Sequence, residues 1–268
     1  MPAIVRVGPA GWSYRDWEGN VYPSPRPRGF DPLEFLAGVF DAIEINSTFY
    51  APCRADVARR WVGRVAANPR FRFTVKLWQR FTHERSAPTT ADLAEWKRGV
   101  EPLQEAGLLG ALLVQFPWSF KNEDEARRRL IEVLDHFREF RLVLEVRHRS
   151  WNQPSLLDFL KDQDVTFCNI DQPVIGASLP LTAHMTSTLG YWRLHGRNYK
   201  TWFQEDAGRD ARYNYLYSEQ EIDEIASLVC NVTHLATEVY VVTNNHFEGS
   251  AVVNARQLQS RIGDGGSD

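Results

Sequence analysis

Cysteine is scarce in this chain. Cys53, Cys168 and Cys230 are odd in number and far apart, which excludes a disulfide framework and a CxxC metal clip and leaves isolated buried thiols as the ordinary reading. Long apolar runs are missing as well. No segment approaches the roughly 18 consecutive apolar residues of a membrane helix. The opening MPAIVRVGPAGW has no basic region followed by an apolar stretch, so a cytoplasmic protein is expected. Charge of one sign is not in excess either: 31 Lys and Arg stand against 34 Asp and Glu. That balance disfavours a broad footprint on a nucleic-acid backbone. No Pro/Gly/Ser-rich linker and no internal repeat divides the 268 residues, a length that a single α/β barrel commonly fills.

What is present is a regular alternation. Eight short β-rich runs occur: Ala3 to Gly8, Ala42 to Asn46, Phe71 to Lys76, Ala111 to Phe116, Leu142 to Arg147, Val165 to Asp171, Tyr191 to Gly196 and Glu238 to Asn244. Helical patterns lie between them at Asp56 to Ala66, Leu93 to Glu105, Glu123 to Phe140, Leu156 to Lys161 and Glu219 to Asn231, with a last one at Ala251 to Ile262. Alternation of this kind makes a parallel sheet, and eight units predict a single (β/α)8 TIM barrel. One unit is irregular, because Gln172 to Gly190 after strand six shows no helix pattern. The barrel domain is expected over 1–262. The Gly-rich polar end, 263–268, is expected to be a disordered tail.

Side chains alternate across a strand, so one parity of each barrel strand points inward. Glu44 and Asn46 share a parity, as do Glu145 with Arg147, Asn169 with Asp171, Arg193 with His195, and Asn244 with His246; Arg6, Lys76 and Gln115 are single cases. Most stand at the C-terminal ends of their strands, where barrel active sites sit. Buried charges rarely improve stability over apolar replacements, so a polar cluster at that end points to function. For each single member the competing reading is a salt bridge that closes the barrel.

Several strings are more specific: GPAGWSYRDWEG, AIEINSTFY, FTVKLWQRFTH, LGALLVQFP, LEVRHRSW, YWRLHGRN and VTNNHFEGSAVVNA. In this order, from about Gly8 to Leu258, they closely resemble domain-of-unknown-function family 72, the YecE-like proteins. The resemblance implies a TIM barrel and no established reaction. The motif residues it carries over are Trp12, Tyr14, Glu44, Asn46, Tyr50, Lys76, Gln115, Glu145, Arg147, Trp151, Arg193, His195, Gly196, Arg197, Asn244, Asn245 and His246, without individual roles. Trp118 in QFPWSF departs from the pattern, which is expected to have a second proline there.

His195 has the titration range of a general acid or base, and Glu145 is suited to orient it or to exchange protons itself. Lys76, Arg147, Arg193 and Arg197 are suited to hold a phosphate or carboxylate. Trp12, Tyr14, Tyr50 and Trp151 offer flat walls, and Glu44, Asn46, Gln115, Asn244 and His246 complete the expected ligand-binding set. The ordinary readings are a satisfied core histidine at His195 and a loop-fixing role for His246. The mixture suggests acid–base chemistry on a small anionic, polyhydroxylated molecule, with no cofactor. One rival is a non-catalytic binder of a phosphorylated or nucleic-acid ligand. The other is a divalent-metal phosphodiesterase or sugar isomerase built on Glu44, Glu145, Asp171, His195 and His246. Against metal, no HxH, HxxxH or HExxH spacing occurs, and the interleaved cations would repel it. The aromatic segment 200–217 reads equally as a lid over the mouth or a cover on the core.

Overall fold

The computed structural model describes residues 2–202, 204 and 209–264. Eight parallel strands run in it: β1 (Ile4–Pro9), β2 (Ala42–Ile45), β3 (Arg72–Lys76), β4 (Leu109–Gln115), β5 (Leu142–Glu145), β6 (Thr166–Asp171), β7 (Leu189–Leu194) and β8 (Glu238–Thr243). They are ordered β1-β8-β7-β6-β5-β4-β3-β2. The remaining gap, between β1 and β2, is spanned by a parallel bridge from Ala10 to Glu44, with the Gly11 N–H donating to the Glu44 carbonyl at 2.8 Å. The sheet is thus a nearly closed (β/α)8 barrel, as the alternation predicts. Helices α1 (Pro32–Ala37), α2 (Ala55–Val65), α3 (Gln79–Thr82), α4 (Thr90–Glu105), α5 (Asp124–His136), α6 (Pro154–Asp162), α7 (Arg209–Arg212), α8 (Glu219–Cys230) and α9 (Ser250–Asp264) follow in chain order.

Closure depends on one bare backbone. A Cβ built on Gly8 would lie 1.8 Å from the Ala42 carbonyl oxygen, so only glycine lets β1 approach β2 this closely. Gly8→Ala is expected to lower stability by about 3 kcal/mol, at the upper end of overpacking costs. A urea midpoint within error of wild type would show that the two strands part without cost.

No helix joins β6 to β7 among the described residues. The connection is held by side chains instead. Asn169 Oδ1 accepts from the Thr182 hydroxyl at 2.7 Å and the His184 N–H at 2.8 Å, and Asn169 Nδ2 donates to the His184 carbonyl at 3.0 Å. Thr186 Oγ1 accepts from the Phe167 N–H and donates to the Val165 carbonyl, both at 2.7 Å. These bonds satisfy backbone groups that a helix would otherwise pair internally.

They also correct the inward assignment of Asn169 and Asp171. Cys168 and Ile170 are the partners of Tyr191 and Arg193, whose side chains reach Glu44 inside the barrel. Asn169 and Asp171 therefore stand on the outer parity. Arg6 faces inward but at the other end: with Arg141 it pairs Glu238, and its Nε donates to the Arg70 carbonyl at 2.9 Å. This cluster seals the bottom, and the salt-bridge reading holds for Arg6.

Ser218 and Glu221 form a capping box on α8, and Thr89 with Asp92 does the same on α4. Each satisfies two otherwise orphaned donors. The last helix extends through Asp264, past the expected domain end at 262; the rest of the expected tail, 265–268, lies outside the described residues. No described helix is long and apolar enough to cross a membrane.

Candidate active site at the barrel mouth

β5 ends at Glu145 and β7 at Leu194, earlier than the sequence runs suggest. Arg147, His195, Asn46 and Asn244 thus leave the ladder just beyond the strand ends. Their side chains converge there because each continues the inward parity of its strand.

Arg193 forms the centre of a buried ion cluster. Its Nε and Nη2 donate to the two oxygens of Glu44 at 3.0 and 2.6 Å, and Nη1 donates to Glu145 Oε2 at 2.6 Å. Arg147 Nε donates to Glu145 Oε1 at 2.9 Å. The Tyr191 hydroxyl lies 2.9 Å from Glu44 Oε2 and 2.8 Å from Thr74 Oγ1. Arg193 is 1% exposed, and both carboxylates are 0% exposed. Burial pushes the Glu145 carboxyl up, but the guanidiniums of Arg193 and Arg147 outweigh it and hold it well below its ordinary range. Glu145 is therefore a fixed anion rather than a proton carrier.

His195 is sealed below the mouth at 0% exposure. Asn46 Nδ2 donates to Asn244 Oδ1 at 3.3 Å, and Asn244 Nδ2 lies 3.0 Å from His195 Nδ1. With those amide orientations Nδ1 is the acceptor and Nε2 carries the proton. Nε2 sits 3.4 Å from Glu145 Oε1 without hydrogen-bond geometry. Burial, reinforced by the charge of Arg147, lowers the imidazole to about 3. His195 is neutral throughout the physiological range.

Lys76 ends β3 and points its ammonium at the face of Phe49, 3.7 Å from the ring centroid. The 3-10 turn Ser47–Phe49 brings that ring over it. Among the described residues no carboxylate pairs with the ammonium: Glu44 and Glu145 are both taken by arginine. Burial, then the charges of Arg193 and Arg147, against the pull of Glu145 and Glu44, bring the Lys76 amine down to about 7. His83, 2.8 Å from the Thr82 hydroxyl and edge-on to Phe49, is lowered to about 4 by burial and by Lys76.

Above this layer opens a cavity of about 760 Å³. Trp12, Tyr14, Asn46, Tyr50, Lys76, Gln115, Arg147, Arg193, Asn244 and His246 line it, while Glu44, Glu145 and His195 lie one layer beneath. Tyr14 stacks on His246 with ring centroids 4.7 Å apart, and Tyr213 meets the same imidazole at 5.2 Å.

Two of the expected ligand-binding residues, one anion holder and one wall, lie elsewhere. Arg197 turns away from the mouth, its Nε bonded to both oxygens of Asp171 at 3.1 and 3.0 Å and its Nη1 to Glu221 at 3.1 Å. Asp171 has outer parity, so its partner is drawn outside the barrel wall. Trp151 is 1% exposed, stacked on Phe120, with its indole N–H donating to the Phe120 carbonyl at 2.7 Å; it packs behind the loop after β4. Trp118 meets His148 edge-on in the same region.

Ser47, Phe49, Trp61, Gln79 and His83 also line the cavity, and sequence reasoning did not select them; Arg212 and Tyr213 of the aromatic segment 200–217 line it too. His83 lies within FTVKLWQRFTH, but it returns to Lys76 through the single turn α3, too short to leave a periodic signature. In the segment 200–217, read as either a lid or a cover on the core, Trp202 and Tyr213 stand 6.1 and 6.2 Å from the His195 ring. Residues 203 and 205–208 of that segment lie outside the described residues.

Of the residues weighed as metal ligands, Glu145 and His195 stand 3.4 Å apart and Glu44 shares Arg193 with Glu145. Asp171 lies on the outer face, Glu44 and Glu145 are occupied by arginine, and no group of three or more His, Cys, Asp or Glu side chains suited to an ion occurs among the described residues.

Fold and site together define a (β/α)8 barrel protein whose mouth holds a buried arginine–carboxylate cluster, an amine with no carboxylate partner among the described residues, and aromatic walls. The chain belongs to the family described as "Protein of unknown function DUF72", whose model matches residues 6–267. A DUF72 family protein of Thermotoga maritima MSB8 is 33% identical, with a TM-score of 0.82 over 97% of this chain and 99% of that one. One from Enterococcus faecalis V583 is 26% identical, with a TM-score of 0.85 over 97% and 96%. The UPF0759 protein YunF of Bacillus subtilis is 28% identical over 95% of this chain and 93% of its own length.

Proposed function

We propose that the protein is an enzyme that binds a small anionic substrate at the barrel mouth and performs proton transfer there, with Lys76 as the exchanging group. The observation that carries this reading is the charge inventory beneath the cavity. Among the described residues of the barrel floor, three cations, Lys76, Arg147 and Arg193, face two carboxylates, Glu44 and Glu145, both spent on the arginines. An anionic ligand completes the balance. Arg147 is positioned to offer its outer guanidinium edge, and the amides of Asn46, Gln115 and Asn244 suit hydroxyl groups. A group titrating near neutrality is suited to both halves of acid–base catalysis, which shifts the exchanging role from His195 and Glu145 to Lys76. Glu145 then positions the arginines, and His195 contributes a neutral, fixed dipole. The proposed chemistry needs no cofactor or metal. Free thiols at Cys53, Cys168 and Cys230 suit a reducing compartment such as the cytoplasm.

Inorganic phosphate and citrate serve as probes. Either is expected to raise the melting temperature of wild type at pH 6.5, and Arg147→Leu is expected to weaken the binding about tenfold, the loss of one charge-assisted pair. Absence of stabilisation by both anions would remove the reading. A pure binding protein is distinguished by Lys76→Arg: in a binder it preserves the whole function, in an enzyme it preserves affinity alone.

A further inference from the structure

We infer that Lys76 is a nucleophile, whose amine forms an imine with a substrate carrying an aldehyde or ketone beside its carboxylate or phosphate. This deepens the anion-site reading and rests on it. The geometry that points there is the surroundings of Nζ. Among the described residues the atom has no hydrogen-bond acceptor and faces the Phe49 ring at 3.7 Å, on the wall of the 760 Å³ cavity. A lysine with a purely structural task is normally held by a carboxylate; the Nζ of Lys76 stands on the cavity wall with none among the described residues.

Its environment also supplies the reactive form. Phe49 favours the ammonium modestly, but burial and the neighbouring guanidiniums prevail and bring the amine to about 7. About half of it is then unprotonated at neutral pH, against well under a hundredth of an ordinary lysine near 10.4. Arg147, which lines the same cavity and whose charge acts on Lys76, is placed to hold the anionic group that directs the carbonyl to Nζ.

The step balances without a further reactant. The nitrogen lone pair forms the C–N bond while the carbonyl π pair moves to oxygen, which takes a proton from solvent. One N–H proton is released, giving the carbinolamine. The oxygen then takes a second proton, the C–O bond breaks, and water leaves as the nitrogen lone pair forms C=N. Carbonyl, amine and one proton become iminium and water, with no change of oxidation state.

The chain makes the test clean, because its other lysines are only Lys97, Lys121, Lys161 and Lys200. Full-length protein is incubated at pH 7 with glyoxylate and sodium cyanoborohydride, then mapped by mass spectrometry. Carboxymethylation is expected at Lys76 at least about tenfold faster than at any other lysine, with a rate that rises with pH about a midpoint near 7. Lys76→Arg and Lys76→Met, each checked for a native circular-dichroism spectrum, are expected to leave only the slow background. Labelling of Lys76 no faster than the surface lysines, by glyoxylate and by formaldehyde alike, overturns the inference.

Formaldehyde, which has no anionic group, separates the two readings. Selective trapping by formaldehyde but not glyoxylate supports the nucleophile and defeats the anion site. Glyoxylate that raises the melting temperature through Arg147 yet is never trapped at Lys76 keeps the anion site and defeats the nucleophile.

Discussion

Lys76→Arg is expected to lower turnover by about 10³-fold or more while changing anion affinity less than threefold. Arginine keeps the positive charge at the end of β3 but does not release its proton in a protein, so neither proton exchange nor attack on a carbonyl survives. The check is kcat against KM on whatever substrate a metabolite screen finds: a fall in kcat with KM intact is the expected pattern, and an unchanged kcat removes Lys76 from the chemistry. The companion Lys76→Met is expected to be more stable than wild type by about 1–3 kcal/mol, because it removes a charge that the fold strains to keep. Its sign follows from linkage. The folded value of Lys76, about 7, lies below the unfolded value near 10.4, so the unfolded chain holds the extra proton between those limits. Wild-type stability from this group therefore rises from pH 7 towards 10. The advantage of the methionine is full below pH 7 and fades above it, which urea midpoints at pH 6 and 9 resolve.

Arg193→Met is expected to cost about 3–5 kcal/mol at pH 7, because it abandons Glu44 and Glu145 as buried anions with one partner fewer. The whole stability of a domain is commonly about 5–15 kcal/mol, so marginal folding at 37 °C is a realistic outcome. Equilibrium urea unfolding measures it, and a loss below about 1 kcal/mol would mean that solvent reaches the cluster. The pH dependence has its own sign. In wild type the carboxyl of Glu145 lies well below its ordinary range once the arginines outweigh burial. Its contribution is present above the unfolded value near 4.3 and disappears as pH falls through the depressed folded value. The penalty of Arg193→Met should accordingly shrink in acid. Adding Glu145→Gln to Arg193→Met should recover part of the loss at pH 7, since a neutral amide is less costly to bury than an unpaired carboxylate.

The barrel was legible along the chain, as was its irregular unit. Eight strand runs and the missing helix after strand six were both expected, since a 2-residue and a 3.6-residue period are local properties of side-chain order. Polar residues at strand ends were equally visible, and ten of the expected site residues do line the cavity. Parity by itself was insufficient at β6. The two residues of the pair Asn169 and Asp171 do share a face, but nothing local says which face is inside. That choice is made by the register with β7, where Cys168 lies beside Tyr191. The consequence spread to Arg197, which follows Asp171 out of the mouth, although its string YWRLHGRN places it only two residues beyond His195.

By itself the sequence determined the class of fold, the family and the cast of charged and aromatic groups, because these follow from periodicity and from short strings that survive in one dimension. Only the tertiary structure decided the division of labour among them. Arg193 takes both buried carboxylates, His195 loses its protonation range beneath Asn244, and Lys76 is left at the cavity with an amine near neutrality. Ionisation depends on the charges and solvent within a few ångströms, and those neighbours come from strands up to 149 positions apart, so no reading along the chain contains it.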